Sequence, residues 1–192
     1  MGVRRLPVRS HDVVAADGSR TRSAFVYCPG RARSVDLEQC KACARAHEVT
    51  PLTVVCHPLP DEAIAGPVAG QAAASEVVCV QADVPCRLLV AIAPREPWSV
   101  PVVDDHGRFL GFVFSRQLAP RAAARGPGTL GTIAAQDLTS GTILAVHEGT
   151  ALSTALRLMA HHGCRVLALV DDEGVLRGAL SDIEALGALR RA

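Results

Sequence analysis

The sequence predicts an α+β fold, two consecutive β-α-β-β-α units preceded by a small four-cysteine metal-binding module. The stretches "VVCVQADVPCRLLVAIAPREPWSVPVVDDHGRFLGFVF" (77–114) and "TILAVHEGTALSTALRLMAHHGCRVLALVDDEGVLRGAL" (142–180) share one order of features. Each runs short strand, helix, apolar strand, Val-Asp-Asp, glycine, apolar strand. The match also keeps register. Val80 aligns with Val146 and Ile92 with Leu158 at an offset of 66 residues; Asp104 with Asp171, Gly107 with Gly174 and Gly111 with Gly178 align at 67. An offset held through successive landmarks marks a duplication. Finally, Cys28, Cys40, Cys43 and Cys56 crowd into the N-terminal segment, whereas Cys79, Cys86 and Cys164 lie scattered in apolar stretches.

Taken in order, residues 1–57 form the four-cysteine segment, 58–67 a linker, 68–119 the first unit, 120–131 a second linker and 132–190 the second unit. The first linker follows from "HPLPDEAIAGPVAG", whose prolines and acids show no sustained period. "APRAAARGPGTLG" (119–131) supplies Pro, Gly and Arg without an apolar face. In the second unit Leu152, Leu156 and Met159 recur at i, i+4 and i+7, which predicts a helix. Thr150 is placed to cap its start and Gly163 to end it. "VLALVDD" reads as a strand buried on both faces, with Gly174 turning the chain into "VLRGAL". In the first unit "VPCRLLVAIA" is the helix and "PREP" ends it.

Composition narrows the function. Aromatic residues are 3% of the chain, too few for a surface that stacks single-stranded nucleic acid. The net charge of +1 gives no global attraction to DNA or an anionic membrane. It is unevenly spread: residues 1–57 hold nine Arg/Lys against five Asp/Glu, and residues 58–192 hold eleven against fourteen. No span has the roughly 20 apolar residues a membrane helix needs, and "MGVRRLPVRSHDVV" has no apolar run behind its arginines. We expect a cytoplasmic protein.

At "VPVVDDHGRFLGFVF" (Val100 to Phe114) and "LALVDDEGVLRGALSDIEAL" (Leu167 to Leu186) the chain resembles the CBS-domain family, named after cystathionine β-synthase. "TIAAQDLTSGTILAV" is similar to the usual lead-in of a CBS copy. The resemblance covers roughly residues 68–190. It implies a tandem CBS pair, pseudo-symmetric, with a homodimer formed through the CBS helices. It also implies an adenosine-containing ligand, AMP or ATP in type, held between the copies by a Thr/Ser hydroxyl and an Asp carboxylate. In the second copy these positions are Ser181 and Glu184; in the first they are Phe114 and Gln117. A phenylalanine cannot donate to ribose and a glutamine carries no charge, so only the second site is expected to bind. Arg165 is the candidate phosphate partner, and aliphatic residues such as Ile143 and Val166 would hold the adenine. "SDIE" is also a capping-box pattern, and a plain helix cap is the competing reading of Ser181 and Glu184.

The early cysteines read Cys28-x11-Cys40-x2-Cys43-x12-Cys56. Four thiolates satisfy tetrahedral zinc, and Cys-x-x-Cys supplies two ligands from one turn. The segment is loosely similar to a zinc ribbon, with one knuckle where that pattern has two. Structural zinc on Cys28, Cys40, Cys43 and Cys56 is the expectation, an iron–sulfur cluster or redox thiols the alternatives. No phosphate loop, His-Glu-x-x-His or nucleophile elbow is present, so no enzyme is expected. The reading is a regulatory sensor with a zinc module that engages a protein partner. The alternatives are a ligand-free dimerisation module and a nucleic-acid-binding regulator that uses the finger, the last of these disfavoured by the lack of a recognition helix.

Overall fold

A computed structural model describes residues 3–57, 67–74, 76–92, 98–139 and 144–190. The chain opens on an antiparallel hairpin, β1 (Arg4–Val14) and β2 (Arg20–Cys28), in register from Val8↔Val26 to Val14↔Arg20. β3 (Arg33–Asp36) pairs with β2. The Asp36 carboxylate then accepts from Glu38 N at 2.8 Å and starts the short helix α1 (Leu37–Lys41). β4 (Ala46–Val49) and β5 (Thr53–Cys56) form a second hairpin, and β5 pairs with Arg4–Pro7 of β1. Val8, Val26, Val35, Cys40 and Val54 make the small core of this region.

The first repeat follows as α2 (Ala69–Ala72), β6 (Glu76–Gln81), α3 (Cys86–Ile92), β7 (Ser99–Val103), β8 (Phe109–Phe114) and α4 (Ser115–Arg125). The second is β9 (Ala145–His147), α5 (Leu152–His162), β10 (Val166–Val170), β11 (Leu176–Ser181) and α6 (Asp182–Leu189). Both are the expected β-α-β-β-α unit. In each the helical crossover joins two parallel strands, β6 with β7 and β9 with β10, and a hairpin adds the third. The hairpins turn on Gly107 and Gly174, both at φ 77, a conformation side-chain-bearing residues resist. Along α5, Leu152 and Met159 are buried and Leu156 packs beside them, as the period requires. Its N-cap is Ala151 rather than the expected Thr150, whose carbonyl accepts from Ala69 N at 2.8 Å. Gly163 ends the helix at φ 62, its N–H donating to Met159 O. The "PREP" stop of the first helix lies outside the described residues.

The two repeats exchange their lead-ins. Residues 67–73 pack into the core of the second unit with Leu152, Leu167 and Leu180, while Leu130, Ala135 and Leu138 pack into the first with Leu89, Val100 and Val113. The hydrogen bonds obey the repeat offset. Cys86 N donates to Ile133 O at 2.9 Å and Leu152 N to Pro67 O at 3.0 Å; Phe109 N donates to Gly174 O and Leu176 N to Gly107 O, both at 3.0 Å. Reciprocal pairs of this kind are the bonds of a pseudo-twofold axis passing between the hairpins. The stretch 120–131 begins inside α4 and ends in a 3-10 turn (Pro127–Gly131) that buries Leu130.

The N-terminal segment is not a detached bead. Ser10–Val14 of β1 pair in parallel with Glu76–Val80 of β6, so the strand order runs β3-β2-β1-β6-β7-β8, beside a separate β11-β10-β9 sheet. Cys79, Val103, Phe109, Phe112, Ala168 and Leu176 form a further core drawn from both units. Each buried Val, Phe or Leu side chain among them contributes on the order of 1.5–3 kcal/mol.

Candidate functional site

Residues of β11 and the start of α6 form the second unit's expected binding edge. Ser181 ends β11 directly opposite Val166 of β10. Its hydroxyl donates to Glu184 Oε2 at 2.8 Å, the same oxygen accepts from Ser181 N at 2.8 Å, and Glu184 N donates back to Ser181 Oγ at 3.2 Å. Sequence spacing therefore brings Ser181 and Glu184 together, and they form a capping box with each other. Glu184 Oε1 takes no part in those bonds. Arg165 points away into solvent, its side chain 76% exposed, with Nε on Asp182 Oδ2 at 2.9 Å. Ile143 lies outside the described residues.

The first unit repeats the cap with different chemistry. Gln117 Oε1 accepts from Phe114 N at 2.7 Å, and its Nε2 donates to Leu138 O at 2.9 Å. Both ends of that amide are committed, one to its own helix and one to the exchanged lead-in. The Phe114 ring packs on the core between the units and carries the Arg116 guanidinium 4.7 Å from its centroid. Neither a ring nor an uncharged amide presents the carboxylate that Glu184 offers in the second unit.

The four cysteines converge at one end of the N-terminal region. Cys28 ends β2, Cys40 sits in α1, Cys43 follows it and Cys56 ends β5. Cys28, Cys43 and Cys56 line a cavity of about 20 Å³ together with Arg4, Leu6, Pro29, Gly30 and Arg45. Burial, then the nearby thiols of Cys28, Cys43 and Cys56, push the Cys40 thiol up. Hydrogen bonding from the Arg45 backbone instead lowers Cys43. Yet among the described residues no three Cys, His, Asp or Glu side chains stand together in metal-holding geometry. The expected closed tetrahedral site is therefore not formed among the described residues, although the thiols share a neighbourhood. Burial holds Cys79 up to about 12 and Cys86 to about 11, as expected of inert core residues.

Sequence reasoning missed a buried polar seam between the N-terminal hairpin and the second unit. Glu148 is fully buried, and its carboxylate accepts from both the backbone N and the hydroxyl of Ser34. Arg9, 2% exposed, donates to Ser34 Oγ at 3.1 Å, while its Nη1 has no partner among the described residues. His11 packs edge-on to Phe25 at 5.3 Å, and Arg177 of β11 lies 5.0 Å from the same ring. Buried charges need partners, and here β3 supplies them to a residue more than a hundred positions away. The one available signal was alternation in "RRLPVRSHDVV", which sets Arg9 and His11 on one face.

Comparison with known proteins agrees with this architecture. Residues 135–191 match the model of the CBS domain. The structure is similar to that of CBSX2 in complex with AMP, with TM-score 0.53 and 24% identity over 66% of this chain and 98% of that one. A CBS domain-containing protein of unknown function from Bacillus anthracis gives TM-score 0.56 at 14% identity, over 65% of this chain and 94% of that one. The CBS domain pair of protein MJ0100, in complex with 5′-methylthioadenosine and S-adenosyl-L-methionine, gives 0.52 at 14% identity over 65% and 97%. A search of curated protein sequences finds no match. Two thirds of the chain thus has the fold of a CBS domain pair, and the stretch that matches the CBS domain model lies in its second unit. Among the described residues no helix is long and apolar enough to cross a membrane.

Proposed function

We propose that the chain is a non-catalytic regulatory module whose CBS pair senses an adenosine-containing ligand at the second unit alone. The observation that carries this is the contrast between the two caps. Ser181 and Glu184 keep a hydroxyl and a carboxylate side by side across from Val166, whereas Phe114 and Gln117 offer a ring and a committed amide. A ribose diol can exchange for the Ser181 bonds on Glu184, because a carboxylate accepts from two hydroxyls at once. The bound AMP of CBSX2 and the bound adenosyl ligands of MJ0100 guide the choice of ligands to test. Isothermal titration with AMP, ATP and S-adenosylmethionine tests the reading: one site per chain, lost in Glu184→Ala, is expected. No heat with any ligand, or heat that Glu184→Ala leaves unchanged, overturns it.

We further propose that the four cysteines hold structural zinc once their side chains close on a common centre. Support comes from the small cavity between Cys28, Cys43 and Cys56, which has room for a single small occupant, and from Cys40 beside it. Closing a metal there would staple a region whose own apolar core is thin. Elemental analysis after anaerobic purification is the test. One zinc per chain, lost in Cys43→Ser, supports the reading; iron with visible absorption favours a cluster, and neither metal leaves four reduced thiols.

The ligand-free dimerisation reading is favoured by one observation of its own. Ile183 and Leu186 stand exposed on α6, at 70% and 54%, an apolar stripe of the sort helices bury between protomers. Sedimentation with and without AMP separates the two readings, since a dimer indifferent to nucleotide belongs to the second.

A further inference from the structure

Between the N-terminal hairpin and α2 lies a cavity of about 290 Å³ that neither cap nor cysteine cluster explains. Arg4, Arg5, Leu6, Pro7, Arg9, Tyr27, Gly70 and Gln71 line it. It is absent from the bare repeat pattern, because β1 and β2 supply six of these eight residues.

The electrostatics of this cavity are one-sided. Three arginines line it and no acidic residue does. Arg4 and Arg5 form no ion pair among the described residues. Arg9 is buried with Nη1 lacking a partner among the described residues. Burial disfavours the Arg9 charge, and Glu148, whose backbone carbonyl accepts from Gly70 N at 2.7 Å, is the acid that offsets it. Three positive charges against one negative charge leave about +2 facing the cavity. That residual matches a phosphate group, which carries about −1.5 to −2 near neutral pH. Guanidinium forks also fit phosphate oxygens in pairs, and their weak hydration suits a recessed site. The Tyr27 hydroxyl has no hydrogen-bond partner among the described residues and would add a neutral donor. The volume exceeds what one ion needs, so the occupant carries more than its phosphate.

We propose that this seam is a second ligand site, one that takes a small phosphate-bearing molecule on Arg4, Arg5 and Arg9. It is separate from the second unit's cap, and an occupant would tie β1 to α2, the lead-in that packs into the second unit. The full chain is titrated at low ionic strength with inorganic pyrophosphate, which carries the charge but no adenosine. Three proteins are compared: wild type, the double variant Arg4→Gln/Arg5→Gln, and Ser181→Ala. Both arginines are exposed at the strand end, so the double variant keeps the fold, checked by circular dichroism. Saturable binding is expected in wild type and in Ser181→Ala, weakened at least about tenfold in the double variant by loss of charge-assisted hydrogen bonds. Retained affinity in the double variant, or the same response from sodium chloride at equal ionic strength, overturns the proposal. So does binding lost in Ser181→Ala alone, which puts the anion at the cap, or tighter binding of citrate, which makes the site one for carboxylates.

Discussion

Acid should destabilise this protein through His11. The imidazole is 4% exposed, edge-on to Phe25, with Arg9 on its own strand and Arg177 on β11 nearby, and its Nε2 has no partner among the described residues. Burial first, then the Arg9 charge, lower its pKa from 6.5 to about 4, against a smaller opposing pull from the backbone at Arg177 and Leu176. Because the folded pKa lies below the unfolded one, the unfolded chain takes up the proton first on acidification. The contribution is fully present above about pH 6.5 and disappears as pH falls towards 4. A separation of roughly 2.5 units corresponds to about 3 kcal/mol, a sizeable part of a domain's stability. Urea unfolding at several pH values between 7 and 4 measures it, with His11→Gln as the non-titrating reference. The stability of wild type relative to His11→Gln should drop by about 3 kcal/mol across that range, other groups cancelling in the difference. A flat difference, or one that favours wild type at low pH, refutes the reasoning.

The other expectations concern packing and thiol chemistry. Ser181→Ala should cost about 1 kcal/mol by loss of the α6 cap, read as a lower urea midpoint without ligand. Leu89→Ala, at a fully buried α3 position, should cost about 2–5 kcal/mol by the same measurement. Gly70→Ala would set a Cβ 2.6 Å from Tyr27 Cδ2 and 2.9 Å from Glu148 O, and should destabilise by about 1–3 kcal/mol, seen as a lowered Tm. In metal-free protein, mass spectrometry after brief iodoacetamide treatment should find Cys43 alkylated before Cys79 or Cys86, since only the first is lowered and the others are buried.

The sequence carried whatever repeats and whatever is local. Val-Asp-Asp-x-Gly recurs, so both hairpins and the alignment of Ser181 with Phe114 could be read without coordinates. Helix faces followed from period, and Gly163 announced its own left-handed turn. Two things were invisible for one reason, that non-local pairing leaves no periodic trace. Nothing in "RRLPVRSHDVV" says that Ser10 will lie beside Glu76, because a strand's partner is chosen by shape and burial across the whole fold. Likewise, "PVAGQAAA" (67–74) and "TIAAQDLT" (132–139) read as the entrances of their own units, yet each packs into the core of the other unit. The cysteines show the opposite limit. Spacing correctly placed them in one neighbourhood, but spacing alone cannot fix sulfur positions.

The duplication has been altered where the N-terminal hairpin touches it. At matched positions Cys86 and Leu89 of the first unit correspond to Leu152 and Ala155 of the second, all fully buried. Each helix keeps one leucine at a different site, so the core changes shape while its volume is roughly conserved, a substitution packing tolerates. At another matched pair the change is not neutral. Ala82 of the first unit corresponds to Glu148, whose buried carboxylate serves Ser34 of β3. Gly178, the partner of Gly111, leaves room for Arg9, whose Nη1 would be 3.4 Å from any added Cβ. The hairpin thus joins the first unit by backbone pairing along β6 and the second by charge and shape. Only the second contact depends on side chains the repeats do not share, which is why it forms on one side of the pseudo-axis and not on both.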